Sequence, residues 1–146
     1  MSFEVYLSGE IHTDWRDRIR AGCSDAGLDV TFCGPVTDHA ASDNCGESIL
    51  GPEESGFWKD HKAAKINAIR TRTALARCDL VVVRFGDKYR QWNAAFDAGM
   101  AAASGKPYVV LHDEELTHAL KEVDAGAQAV AQTPEQIVEI LRYIRS

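Results

Sequence analysis

The chain has 146 residues, 45% of them hydrophobic and 26% charged, with a formal net charge of −6. That length suits a single domain, residues 1–146, with a sizeable core, and the acidic balance argues against a binder of polymeric nucleic acid, whose footprint would be basic. The longest purely apolar run, Leu80 to Val83, is far below a membrane span, and the N-terminus lacks the regions of a signal peptide, so a cytoplasmic protein with no membrane partner is expected.

Phe3 to Ser8 is rich in β-formers and reads as a first strand ending at Ser8-Gly9. Thr13 or Asp14 can cap a helix running to Gly27, with Trp15, Ile19 and Cys23 along one face. Leu28 to Cys33 is a second strand, closed by Gly34-Pro35. From Val36 to Phe57 no period survives, and a structureless loop of that length is expected to be a functional lid or wall. A helix from about Phe57 to Arg77 follows, with Ile66, Ile69, Thr73 and Ala76 spaced to face a core. It carries Lys59, His61, Lys62, Lys65, Arg70, Arg72 and Arg77, the most basic segment of the chain.

Asp79 to Phe85 is a nearly continuous apolar run, the mark of a central parallel strand covered on both faces. After Gly86 to Gln91 comes a helix of small residues in which Phe96, Met100 and Ala103 mark the expected buried face. Ser104-Gly105 followed by Pro107 ends it. Pro107 to His112 is a further buried strand, Glu114 to about Asp124 a helix, and Ala127 to Gln132 a fifth strand. Thr133-Pro-Glu-Gln136 is a capping box with Pro at N1, opening an amphipathic helix on Ile137, Ile140, Leu141 and Ile144.

Strands alternating with helices predict an α/β domain: a three-layer flavodoxin- or Rossmann-like fold with a five-stranded parallel sheet flanked by helices. In a flavodoxin-like winding the order reverses between strands one and three, and ligands sit at the strands' carboxyl ends there. Those ends are Ser8-Gly9-Glu10 and Arg84-Phe85-Gly86, and Asp97 follows the second directly.

Asp97 is the one carboxylate amid small apolar residues, with Asn93 one turn earlier. Burying an acid bare costs several kcal/mol, so it is paired, hydrogen-bonded or functional. Near a helix N-terminus the dipole would keep it ionised, as a nucleophile in glycosyl transfer requires. Tyr6 on the first strand can hold or polarise it, Trp92 can stack on a flat base, Asn93 offers a donor and an acceptor, and Lys65, Arg70 and Arg84 can bind an anion. Each has a plainer reading: Asp97 as a salt-bridged helix residue, Trp92 as a cap on the core, the basic helix as a solvated face. His12, His39, His61 and Cys45 include no pair at zinc-type spacing, so neither metal nor cofactor is expected. No Walker loop, G-x-G-x-x-G or Gly-x-Ser-x-Gly elbow is present.

Tyr6-Leu-Ser-Gly-Glu-Ile-His-Thr-Asp-Trp-Arg16, Asp38-His-Ala-Ala-Ser-Asp-Asn-Cys-Gly46, Phe57-Trp-Lys-Asp60 and Val82-Val-Arg-Phe-Gly-Asp-Lys-Tyr-Arg-Gln-Trp-Asn-Ala-Ala-Phe-Asp-Ala-Gly99 resemble the YtoQ family along essentially the whole chain. That family in turn resembles the nucleoside 2-deoxyribosyltransferases, whose strand-one Tyr-Leu-x-Gly segment and later Ala-x-Glu-x-Gly-x-Ala helix correspond to Tyr6-Leu-Ser-Gly9 and Ala95-Phe-Asp-Ala-Gly-Met-Ala101. The resemblance implies a retaining reaction with Asp97 as nucleophile and Tyr6 assisting, on a site shared across a homo-oligomer interface. Asp stands where the transferases have Glu, Gln91 stands where some of them carry an acid and Arg70-Thr71 falls near another acidic position, which points to a different, phosphorylated ligand.

The expectation is therefore an N-glycosyl hydrolase or deoxyribosyltransferase acting on a nucleoside or nucleotide. Asp97 and Tyr6 are its catalytic residues, with Asp97 standing bare and ionised at the mouth of the crevice. Ser8, Gly9, Glu10, His12, Arg84, Gly86, Trp92 and Asn93 line the site; Arg70 or Arg84 holds an anion; His39, Asp43 and Asn44 close it from the loop. Glu10 and His12 are candidates for the general acid by location. The alternatives are a non-catalytic nucleotide-binding module and a subunit whose basic helix docks an acidic partner.

Overall fold

The computed structural model describes residues 2–146. They form two compact units, one comprising the chain up to Cys33 together with Cys78–Ser146, the other Gly34–Arg77. The first contains a five-stranded sheet, β1 (Phe3–Gly9), β2 (Val30–Cys33), β3 (Leu80–Arg84), β4 (Tyr108–Leu111) and β5 (Ala129–Ala131), in the order β2-β1-β3-β4-β5. Every pairing is parallel, with Ser8 opposite Val83 and Gly9 opposite Arg84. The predicted fold class holds, with the reversal between β1 and β3.

Strand alternation divides the core in two. Val5, Leu7, Val82, Val109 and Leu111 face α1 (Trp15–Asp25) and α6 (Pro134–Ile144), packing with Trp15, Ile19, Cys23, Ile137, Val138 and Leu141. Each fully buried aliphatic chain there contributes on the order of 1.5–3 kcal/mol. The capping box of α6 forms as predicted: Thr133 Oγ1 accepts from Gln136 N, and Gln136 Oε1 accepts from Thr133 N. On the opposite face lies α4 (Trp92–Ala103), which buries Ala94, Ala98 and Ala101.

That face corrects the expectation of Phe96, Met100 and Ala103. Phe96 is 61% exposed, Ala103 is exposed and Met100 only half-buried. The reason is steric: alanines at i, i+4 and i+7 let the helix backbone lie close on the sheet, and larger side chains are turned outward. The helix expected over Glu114 to Asp124 is also broken, into a short 3₁₀ turn (Glu114–Leu116) and α5 (Lys121–Gly126). Side chains hold α5 to β4: Tyr108 Oη donates to Val123 O at 2.6 Å, and His112 Nε2 meets Asp124 Oδ2 at 2.9 Å.

The second unit is a helical hairpin of α2 (His39–Leu50) and α3 (Gly56–Arg77). Most of the supposed loop from Val36 to Phe57 is thus helix, capped by Asp38, whose side chain accepts from Ala41 N at 3.0 Å. It has no apolar period because its buried contact is Gly46, where a Cβ would fall 2.5 Å from Lys62 Cβ and 2.6 Å from Ala63 N. Glu47 pairs with Lys59 at 3.4 Å and Glu53 with Lys62 at 2.6 Å, so two of the basic residues lace the hairpin. On α3 the buried residues are Ala63, Ala74 and Leu75; Ile69 is 68% exposed, Thr73 and Ala76 are exposed, and Ile66 is half-buried, which overturns the expected face. At the close approach of the two helices, on Gly46, the buried residue of α3 is the small Ala63. Among the described residues no helix is long and apolar enough to cross a membrane.

Candidate active site at the β1–β3 edge

β1 delivers Tyr6 and Ser8 to the α4 face of the sheet, both buried, because residues two apart share a side. α4 brings Asp97 over the end of that strand, and Ser8 Oγ donates to Asp97 Oδ2 at 2.6 Å. The carboxylate thus sits at the switch point, hydrogen-bonded rather than bare and, among the described residues, without an ion pair. The hydroxyl that meets it is that of Ser8, two residues beyond Tyr6 on the same face of β1.

Asp97 lies in the second turn of α4, beyond the reach of the helix dipole. Burial pushes its pKa above the ordinary carboxylate value, and the Ser8 hydrogen bond pulls the other way. This corrects the expectation of an acid held ionised by the dipole. Burial has the opposite sign.

Gly9 ends β1 at φ +108°, and a Cβ there would lie 2.1 Å from Arg84 O, so only glycine permits this approach of the two strands. Glu10, buried just beyond, is consumed locally. It accepts from Thr13 N at 2.8 Å, from Thr13 Oγ1 at 2.6 Å and from the His12 backbone. Burial raises its pKa, but these bonds and the nearby Arg84 hold it below the ordinary value overall. These contacts favour its charged form, which argues against Glu10 as the proton donor. Asp14 stands at the N-cap of α1, one of the two predicted positions, but makes no side-chain cap bond.

Arg16, to which the sequence analysis assigned no role, is buried on α1. Its guanidinium donates to Leu7 O through Nε at 3.2 Å and Nη2 at 3.1 Å, to Gly9 O at 3.0 Å and to Glu10 O at 2.5 Å. Burial lowers its pKa to about 10. It pins the carbonyls at the end of β1, and the one available signal was its place directly after Trp15 at the start of an amphipathic helix.

The second wall is the segment Gly86–Gln91. Gly86 lies against the Glu10 side chain, where a Cβ would meet Cγ at 2.7 Å. Gln91 Oε1 accepts from Gly86 N at 3.1 Å while Nε2 donates to Lys88 O at 2.5 Å and Tyr89 O at 2.8 Å. Tyr89, held at φ +62°, reaches the His12 ring at a centroid distance of 5.0 Å. Gln91 thus clamps this loop from both ends of its amide.

Arg84 ends β3 with its side chain 15% exposed, 3.8 Å from Asp113 Oδ1. Trp92 is 73% exposed, which rules out the core-cap reading, and Asn93 is exposed beside it. His39, Asp43, Asn44 and Arg70 are residues of the second unit. There His39 Nε2 pairs with Asp43 Oδ2 at 3.2 Å and Arg70 Nη2 donates to Gly34 O at 3.1 Å; all four are exposed. Being on helices, they form no loop lid.

A family model described as "Nucleoside 2-deoxyribosyltransferase YtoQ" matches residues 6–145. The chain is 42% identical over 144 residues to the uncharacterized protein YtoQ of Bacillus subtilis (strain 168), covering 99% of this chain and 97% of that one. Among solved structures it resembles a conserved protein from Enterococcus faecalis V583, with TM-score 0.62, 14% identity and 99% coverage of both chains. It also resembles a 2-deoxyribosyltransferase from Bacillus psychrosaccharolyticus, with TM-score 0.54, 17% identity, and 92% and 90% coverage. At such identities the two structures speak for the fold alone.

Proposed function

The chain belongs to the YtoQ family of nucleoside 2-deoxyribosyltransferase-like proteins, and from that premise we propose that it is an N-glycosyl hydrolase or deoxyribosyltransferase acting on a nucleoside or nucleoside monophosphate through Asp97. The observation that carries the reading is the Ser8–Asp97 pair at the carboxyl edge of β1 and β3, where ligands of such sheets bind.

An Asp97 oxygen attacks C1′, the C1′–N bond breaks with its electron pair leaving on the base, and the base takes up a proton. A second base or a water then attacks C1′, loses its proton and releases the ester, returning the carboxylate. Ser8 stabilises the ionised nucleophile, Tyr6 supports it from the strand below, and Trp92 and Asn93 contact base or sugar. His12, exposed on the rim beside Tyr89, is assigned as proton donor in preference to Glu10, which is engaged by the His12 and Thr13 amides and the Thr13 hydroxyl. A homo-oligomer completes the site, a second copy covering Trp92 and Phe96 on the outer side of α4.

The test is free-base release from a panel of deoxynucleosides and their 5′-monophosphates, followed chromatographically. Asp97→Asn should lower the rate by about a thousandfold or more. Ser8→Ala should retain activity but move the acid limb of the pH–rate profile to higher pH, because a hydrogen bond to the charged form is lost. A binding module without chemistry is supported instead if the same ligands raise thermal stability and no base appears.

A further inference from the structure

We propose that Arg84 receives the anionic group of the ligand, so that the substrate is a deoxynucleoside 5′-monophosphate in preference to a free nucleoside; this rests on the reading of the Asp97 site given above. Two arginines meet at this edge of the sheet, and the fold treats them differently. Arg16 spends Nε, Nη1 and Nη2 on the carbonyls of Leu7, Gly9 and Glu10. Arg84 Nε and Nη1 are buried and find no acceptor among the described residues. Asp113 Oδ1, 3.8 Å from Nη1, attracts the guanidinium but is too far for a hydrogen bond. Glu10, the other carboxylate near it, already accepts from His12 and Thr13.

A buried cation with unspent donors costs stability, and a fold that had only a structural use for it would have satisfied it as it does Arg16. Position points to the ligand. Arg84 pairs with Gly9, and Ser8, which holds Asp97, is the next residue along β1. Adjacent strands lie about 4.8 Å apart, so the backbones that carry Arg84 and Ser8 are neighbours at this end of the sheet. Alternation sends Ser8 toward α4 and Arg84 toward the other face, so a ligand engaging both lies across the sheet's edge with its anion on the α1 side. A guanidinium fork is suited to two phosphate oxygens at once. To reach them Arg84 turns away from Asp113, which therefore competes with the ligand.

The test is isothermal titration of the full chain, and of Asp97→Asn to remove turnover, with a deoxynucleoside, its 5′-monophosphate, 2-deoxyribose 5-phosphate and inorganic phosphate. The monophosphate should bind about tenfold tighter than the nucleoside or better, Arg84→Gln should erase the difference, and Asp113→Asn should widen it. Equal affinities for nucleoside and monophosphate, or a preference that survives Arg84→Gln, would overturn the proposal. So would inorganic phosphate binding to which sugar and base add nothing. If Arg84→Gln does not fold, Asp113→Asn decides, and an unchanged preference sinks the idea. A monophosphate preference without base release leaves the anion site standing and removes the glycosyl-transfer reading instead.

Discussion

Asp97 combines two requirements that oppose each other. Burial beneath α4 disfavours its charge, while attack on a sugar carbon needs that charge, and Ser8 is the group that moderates the conflict. The folded-state pKa is raised, so the native protein holds this proton to higher pH than the unfolded chain does. The destabilisation is therefore absent below the ordinary aspartate pKa, grows as pH rises toward the folded value and is complete above it. Asp97→Asn should melt at a higher temperature than the parent at neutral pH, with the gap closing as pH falls below the ordinary aspartate range; calorimetry across that range checks it. That Asp97 was exceptional could be seen in the sequence, because an acid among alanines is conspicuous. Its partner could not be, since Ser8 and Asp97 are 89 positions apart and meet only through the strand order.

At the scale of elements, α4 shows where periodicity misleads. Apolar spacing selects the largest hydrophobes, but a helix lying close on a parallel sheet selects the smallest, and Ala94, Ala98 and Ala101 are its buried face. Ala98→Leu should cost about 1–3 kcal/mol by overpacking, whereas Phe96→Ser, on the outer side, should change the stability of the isolated chain by within roughly 0.5 kcal/mol; urea unfolding of both variants checks the contrast. The same cause hid α2, whose buried contact is a glycine and whose apolar residues Ile49 and Leu50 are exposed. By contrast, α6 and β3 were legible in outline: the cap of α6 and its buried Ile137 and Leu141, although Val138 is buried too and Ile144 is 45% exposed, and the apolar run of β3, buried on both sides.

For the molecule as a whole, the two units differ in what they bury. The sheet unit encloses Val5 to Ser8, Val81 to Val83 and Val110 to Leu111 almost completely, while the α2–α3 hairpin has Gly46, Ala63, Ala74 and Leu75 as its buried residues. Native-state hydrogen exchange should accordingly find the β1, β3 and β4 amides among the slowest and the hairpin amides opening at lower free energy; equal protection would show that the hairpin is not a separate cooperative element. The sequence by itself determined the alternation of strands and helices, the parallel sheet and the region of its switch point, because buried strands, caps and turn residues are local and each carries its own periodicity. Only the tertiary structure decided which side chains meet there: that Ser8 faces Asp97, that Glu10 is spent on its own turn, that Arg16 is satisfied and Arg84 is not. Those outcomes depend on register and on burial, which arise between segments distant in the chain and leave no local pattern to read.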